Sequence, residues 1–288
     1  MEKAAEELFA GGTVAVGDIC NTTDSVLLKQ HSPLYWHNFI EISGFVTAGA
    51  EKRFDDAVQI LNDFKANQST NQPINQTTLS PHAPYSVSKK LFELINEATE
   101  NKTVTIHNRE AAAENDLYKN KEGDFLSLYK NLGIDIGSFN ATGKSSFQSW
   151  LPYFTKGQKI ISVHNTFTDQ ADLDFSNTRE KNEVLFFCLC PNANLFIENR
   201  LPDIDMLVSN NCRIIIGTDS YASNNQLNMY EEIKTIQQYF PQISLATLLQ
   251  WATLNGAMAL GIDDVYGSFE KGKRPGVVLI GDGFAKRI

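Results

Sequence analysis

The chain carries 288 residues, 42% of them hydrophobic, enough to bury a substantial core. Its 34 acidic and 25 basic residues give a formal charge of -9 and a pI of about 5.1. That balance opposes nucleic-acid or anionic-membrane binding, since both need basic patches, and no apolar run approaches a membrane span or a secretory signal.

In chain order, Glu2 to Phe9 reads as an Ala- and Glu-rich helix stopped by Gly11-Gly12. Thr13 to Ile19 follows as a buried strand, then a polar loop from Asn21 to Gln30 and a second strand over Phe39 to Gly44. Glu51 to Asn67 has helical periodicity through Phe54, Val58, Leu61 and Phe64, and a polar Asn/Gln/Ser/Thr linker leads into a weaker strand at Gln76 to Leu79. The alternation continues with a helix at Ser86 to Thr99, a strand at Thr103 to Ile106, a helix at Asp124 to Leu132, and strands at Lys159 to Val163 and Val184 to Cys190. The last strong strand runs from Cys212 to Gly217, ahead of helices at Asn225 to Tyr239 and Ser244 to Leu260, and a tail carries one more apolar run, Val277 to Ile280. Cys20, Cys188, Cys190 and Cys212 sit in or at the ends of strand-like runs without disulfide-framework spacing, so they are read as core side chains in a reducing cytoplasm.

Seven strands alternating with helices predict a parallel sheet with helical crossovers; a closed (β/α) barrel has eight. Three of the runs end on side chains that bind metals: Thr103 to His107, Lys159 to His164, and Cys212 through Gly217 to Asp219. If the strands are parallel, these ends converge on the one barrel face where catalytic groups collect. A buried acid such as Asp219 is costly unless paired, hydrogen-bonded or metal-bound; the competing reading is that Asp219 starts a turn or caps the next helix.

Taken together, Ser80-Pro-His-Ala-Pro-Tyr-Ser86, Ile106-His-Asn-Arg-Glu110, Val163-His-Asn-Thr166, Cys190-Pro-Asn-Ala-Asn194, Arg200-Leu-Pro202, Gly217-Thr-Asp-Ser220 and Ala252-Thr-Leu-Asn-Gly-Ala257 resemble the ordered motifs of the amidohydrolase superfamily. The nearest branch is that of the cytosine, guanine, S-adenosylhomocysteine and aminodeoxyfutalosine deaminases and the triazine chlorohydrolases. The resemblance covers nearly the whole chain and implies an α/β fold, a (β/α)8 TIM-type barrel over residues 1–272 that lacks its first strand. Residues 273–288 would be the C-terminal strand remnant of a small β-sandwich, which Gly267 to Arg274 introduces.

The resemblance further implies a hydrolase of carbon-nitrogen bonds that deaminates an amino-heterocycle, a purine-like nucleoside or base, by a metal-bound hydroxide. One divalent metal, zinc or iron, is expected. His107, Asp219 and His164 would hold it, Asp219 would take a proton from the attacking water, and His164 would orient the attack. Glu110 would shuttle a proton to the ring nitrogen and then to the leaving ammonia. His82 and Arg109 would contact substrate, or Arg109 would pair with Glu114, itself read as a solvated helix charge. Trp36, Tyr85, Trp150 and Phe167 are candidates to wall a pocket, and Asn165, Asn224 and Asn255 to satisfy backbone at loop and helix ends.

One departure stands out: the sequence has no His-x-His, and its five histidines are 31, 37, 82, 107 and 164, the first two expected in the loop between the first two strands. A metal would be short of protein donors and held weakly. Met1 reads as an internal start, at the helix that would follow a first barrel strand, and the unpaired neighbours of that strand would invite association with another chain. Two readings follow: a cytoplasmic metal-dependent deaminase of a small molecule, in a homo-oligomer, or an inactive fragment or pseudoenzyme that keeps the scaffold.

Overall fold

Runs rich in Val, Ile, Phe and Thr favour pleated structure, and Ala-, Leu- and Glu-rich runs favour helices between them. In the computed structural model, which describes residues 1–67, 75–179, 184–281 and 283–288, seven such runs form parallel strands. They are β1 (Ala15–Cys20), β2 (Tyr35–Ile42), β3 (Gln76–Pro81), β4 (Thr103–Asn108), β5 (Lys159–His164), β6 (Val184–Leu189) and β7 (Arg213–Ile216). β1, β2 and β3 pair in that order, as do β4, β5, β6 and β7. β3 and β4 lie side by side without a full ladder: Thr78 donates to the Thr103 carbonyl (2.9 Å), Thr105 N–H to Ser80 Oγ (3.1 Å) and His107 N–H to the His82 carbonyl (2.9 Å). Among the described residues no ladder joins β7 to β1.

The two-residue period of a strand sorts the side chains. Ile40, Ile42, Leu79, Val104, Ile106, Ile160, Phe187, Leu189, Ile214 and Ile216 face the helices and pack with Leu91, Phe92, Ile95, Trp150, Ile233 and Leu248 in the main core. Phe39, Ile161, Phe186, Cys188, Cys190 and Ile215 point the other way and form a second cluster inside the strands. This inner layer is tight on its β6–β7 side, where a Cβ on Gly217 would lie 2.9 Å from Cys188 Sγ. The succession Ile215, Gly217, Asp219 along one face is therefore a packing demand followed by a functional group at the strand mouth. All four cysteines are free.

Several elements differ from expectation. The expected loop at Asn21 to Gln30 contains most of a short helix, Val26–His31. β2 starts at Tyr35, because Tyr35-Trp36 are themselves strand formers, and this places His37 in the strand rather than the loop. There it is fully buried, stacked on Phe39 at 4.2 Å between ring centroids, with Nε2 3.1 Å from Thr78 Oγ1. A helix at Ala113–Asn120 was not expected. The helix expected at Asn225 starts at Met229, where Asn228 Oδ1 accepts from Tyr230 N–H, and the helix expected over Ser244 to Leu260 contains a π-turn at Trp251–Asn255. Most of the polar linker, residues 68–74, lies outside the described residues.

The tail forms an antiparallel hairpin of β8 (Val278–Gly281) and β9 (Phe284–Arg287). It is fastened to the first helix by Arg287, which donates to the Phe9 and Thr13 carbonyls and lies 4.0 Å over the Phe9 ring. No described helix is long and apolar enough to cross a membrane.

Candidate active site

Parallel strands bring the ends of β2, β3, β4, β5 and β7 to one mouth. Three of these ends turn through left-handed backbone at non-glycine residues: Arg109 (φ 53°) after β4, His164 (φ 73°) and Asn165 (φ 59°) at β5, and Asp219 (φ 56°) after β7. Such residues cost about 1–3 kcal/mol each and persist where the surroundings over-determine them, which is common at functional sites.

His107 is the centre of the group. It projects from the inner face of β4 between His82, 5.1 Å away between centroids, and His164, stacked at 5.6 Å and 27°. Its Nδ1 lies 2.8 Å from the His82 carbonyl, a pure acceptor, so Nδ1 carries a proton and in the neutral ring Nε2 is the nitrogen left with a lone pair. The same logic fixes His82: Ser86 donates its hydroxyl to the Ala83 carbonyl (3.0 Å), so Ser86 Oγ accepts from His82 Nδ1 at 2.7 Å and Nε2 of the neutral ring again keeps the lone pair. His82 Nε2 stands 3.9 Å from Oε1 of Glu41, which shares the inner face of β2 with His37 and Phe39. One donor atom from each of Glu41, His82 and His107 lies within 4.8 Å of the other two. Burial, then the neighbouring His107, pushes the His82 imidazole down to about 4; burial raises the Glu41 carboxyl, with His107 acting against it. Neutral imidazoles whose Nδ1–H is engaged are what a divalent metal requires, so these residues fit one.

Glu110 stands beside this group. Its Oε2 accepts from Tyr85 OH at 3.3 Å and its Oε1 lies 3.5 Å from His164 Nε2. His164 Nδ1 is 2.9 Å from Asn194 Oδ1, while Asn194 Nδ2 donates to the His164 carbonyl. Nδ1 is therefore the protonated nitrogen of the neutral ring, and Nε2 is the atom turned toward Glu110.

The Glu110 loop is held from below. The turn at Arg109 leaves two backbone N–H groups in need of an acceptor, and Glu114 supplies it: Oε1 accepts from Glu110 N–H (2.8 Å), Oε2 from Arg109 N–H (3.0 Å) and Ser146 Oγ (2.9 Å). Glu114 is fully buried, which pushes its carboxyl up to about 7 against the pull of those donors. It is thus an internal anchor, not a solvated helix charge. The Arg109 guanidinium is also buried and points away from Glu114. It donates to the Phe167 carbonyl and lies 3.1 Å from both Asp169 and Asp172, so its charge is engaged with the segment after β5 rather than presented to a substrate.

Of the other expected residues, Asp219 is half-buried at the end of β7 and accepts a hydrogen bond from Ser223. Among the described residues neither Asp219 nor His164 joins His107 in a three-ligand group, whereas Glu41 and His82 do. Tyr85 walls the site, stacked on Phe125 at 4.3 Å, and Phe167 lies under the Arg200 guanidinium at 5.0 Å. Trp36 and Trp150 are core, the latter donating to Asn108 Oδ1 at 2.7 Å. Asn165, Asn224 and Asn255 donate to the carbonyls of Ser162, Thr218 and Ile214. Glu41 is the residue that sequence reasoning missed; its strand also carries His37 and Asn38, so no local pattern set it apart.

A model of the amidohydrolase family matches residues 1–286. The 5'-deoxyadenosine deaminase of Methanococcus aeolicus is 27% identical over 238 residues, covering 80% of this chain and 50% of its own length. The Helicobacter pylori aminofutalosine deaminase structure, in complex with methylthio-coformycin, superposes with a TM-score of 0.82 at 23% identity, over 96% of this chain and 66% of that one. An adenosine deaminase from Xanthomonas campestris, with bound zinc, superposes at 0.70 and 26% identity, over 96% and 59%. The chain thus spans between 50% and 66% of the length of these relatives. With motifs, strand order and family model agreeing along nearly its whole length, the chain belongs to the amidohydrolase family.

Proposed function

We propose that this chain carries out hydrolytic deamination of an amino-heterocycle, a purine-like nucleoside or base, at the mouth formed by β2 to β7. The observation that carries this reading is Glu110, a carboxylate that accepts a hydrogen bond from Tyr85 and lies 3.5 Å from His164 Nε2, beside an imidazole, His107, whose Nδ1 is engaged by the His82 carbonyl. The relatives named above are a 5'-deoxyadenosine deaminase, an aminofutalosine deaminase and an adenosine deaminase, which supports the substrate class.

His107, with His164 and Asp219 beside it, would hold a divalent ion, zinc or iron, which when bound would supply an activated water near neutral pH. The remaining work belongs to the side chains. Asp219 accepts a proton as water adds to the amine-bearing carbon. Glu110 delivers a proton to the ring nitrogen, takes up the next, and passes it to the amine, so that the carbon-nitrogen bond breaks and ammonia leaves neutral. His164 holds Glu110 and the incoming water in line, and Tyr85 and Phe167 wall the heterocycle. Arg109 and Glu114 act at a distance, by fixing the loop that presents Glu110. The protein is further read as a cytoplasmic homo-oligomer, with the barrel over residues 1–272 and 273–288 as a strand remnant outside it.

The test is ammonia release from a panel of adenine-type nucleosides by wild type and Glu110→Gln, with bound metal measured in parallel. Wild type should release ammonia and Glu110→Gln should lose turnover while keeping metal; deamination retained by Glu110→Gln would sink the proton-shuttle role. A second reading, a scaffold without the chemistry, draws on the missing His-x-His and predicts wild type with little bound metal and no ammonia release even when metal is supplied in excess.

A further inference from the structure

We propose that Glu232 is a positioning residue that fixes Asp219 and His164 relative to each other, as the shared hydrogen-bond acceptor of the two segments that hold them. The inference rests on the reading above for what Asp219 and His164 do, and goes beyond it in naming the group that aligns them.

Glu232 lies in the helix Met229–Tyr239 and is fully buried. Among the described residues it forms no ion pair; three N–H donors hold it instead. Its Oε2 accepts from Asn192 N–H (2.9 Å), and its Oε1 accepts from Asn192 Nδ2 (2.9 Å) and Asn224 Nδ2 (2.7 Å). A buried carboxylate without a counter-charge is costly, and burial pushes this one up to about 7 against the pull of its donors. Its position shows what it does there: it joins two segments of the mouth.

The first segment carries Asp219. Asn224 Nδ2 donates both to Glu232 and to the Thr218 carbonyl, at 2.7 Å each. That carbonyl belongs to the peptide entering Asp219, whose backbone is left-handed at φ 56°, so fixing it sets the direction in which the carboxyl leaves the strand end. The second segment holds His164. Asn192 is the second residue of the helix Pro191–Glu198, where a backbone N–H has no partner inside the helix, and Glu232 supplies the acceptor. Two residues on, Asn194 grips His164 twice, Oδ1 to Nδ1 at 2.9 Å and Nδ2 to the carbonyl at 3.3 Å. Thr235 donates to Asn192 Oδ1 at 2.6 Å, which turns the Asn192 amide nitrogen toward Glu232. One carboxylate thus registers both segments, much as Glu114 registers the loop of Glu110.

Two variants separate the arms. In Glu232→Gln the remaining carbonyl goes to the side with two amide donors, and the new amide faces Asn192 N–H, which loosens the helix start ahead of Asn194 and His164. Asn224→Ala does the converse: it releases Thr218 and Asp219 and leaves Asn192 on Glu232.

The zinc-loaded variants and wild type are compared in ammonia release from an adenine-type nucleoside and in proton–nitrogen NMR of the histidine rings, after circular dichroism has shown them folded. Both variants should lower kcat about 10-fold or more with KM within about threefold of wild type. The His164 Nδ1–H resonance should move in Glu232→Gln and stay in Asn224→Ala, while that of His107, bonded to the His82 carbonyl, stays in both. A role in stability alone would leave kcat and the His164 resonance of folded variants unchanged. A kcat within about twofold of wild type in both variants, or a His164 resonance in Glu232→Gln that coincides with wild type, would overturn the assignment. If Glu232→Gln does not fold, Asn224→Ala decides by the same kcat criterion. Wild type that releases no ammonia contradicts the deaminase reading, and the resonances then decide the anchoring role without turnover.

Discussion

Glu114→Gln separates support of the catalytic loop from the chemistry itself. Glu114 serves three buried donors with two oxygens, and glutamine keeps one of those oxygens. Its carbonyl goes to the side with two donors, Arg109 N–H and Ser146 Oγ, and its amide N–H2 then faces Glu110 N–H. One hydrogen bond is lost and a buried donor is orphaned, which costs about 1–3 kcal/mol. Because burial raises the Glu114 carboxyl from 4.5 to about 7, the folded chain binds the proton first, so wild type loses stability as pH rises through that window and its margin over the non-titrating variant should be larger at pH 6 than at pH 8. Urea unfolding at pH 8 and pH 6 reads this directly. A Glu110 carboxylate displaced by about 1 Å should lower kcat roughly 100-fold with metal content unchanged. A variant equal to wild type in stability and kcat at pH 6 would refute the claim that Glu114 positions Glu110.

Arg109→Met should destabilise by about 3 kcal/mol or more, since it leaves the fully buried Asp172 without its counter-charge; thermal unfolding checks this. Gly217→Ala forces a Cβ to 2.9 Å from Cys188 Sγ and should cost about 1–3 kcal/mol, recovered in part by adding Cys188→Ala in a double-mutant cycle. His37 sits with its imidazole pushed by burial from 6.5 to about 3, so the unfolded chain takes up the proton first. Its contribution is whole above pH 6.5 and is lost as pH falls toward 3. The stability of wild type relative to His37→Gln should therefore drop by about 1.4 kcal/mol per pH unit below pH 6, measured by urea midpoints. A flat difference would show that His37 is solvated.

Seven parallel strands were legible because each is a run of β-branched or aromatic residues bounded by polar turns, and His107, His164 and Asp219 were legible because each closes such a run. What escaped notice needed long-range information. Glu41 has no distinguishing neighbour in sequence; only pairing of β2 with β3, in register at Glu41 and Ser80, shows that it faces His82. Glu114 looks like a surface charge in the first turn of a polar helix, and its role exists because Arg109 turns through φ 53° and strands two N–H groups beneath the loop. His37 was misplaced because the strand extends back to Tyr35, where aromatic side chains gain by burial what the loop reading denied them. The Arg109 guanidinium chose Asp169 and Asp172, sixty residues on, over the nearer Glu114, a pairing that depends on β4 and β5 being adjacent.

The most direct test of the account is ammonia release from an adenine-type nucleoside by chelator-stripped protein before and after addition of one equivalent of zinc. The account predicts no release before and turnover after, with Glu110→Gln silent in both. Metal-saturated, folded wild type that releases no ammonia across adenine-type nucleosides, or stripped protein that deaminates as fast as the loaded one, would contradict it.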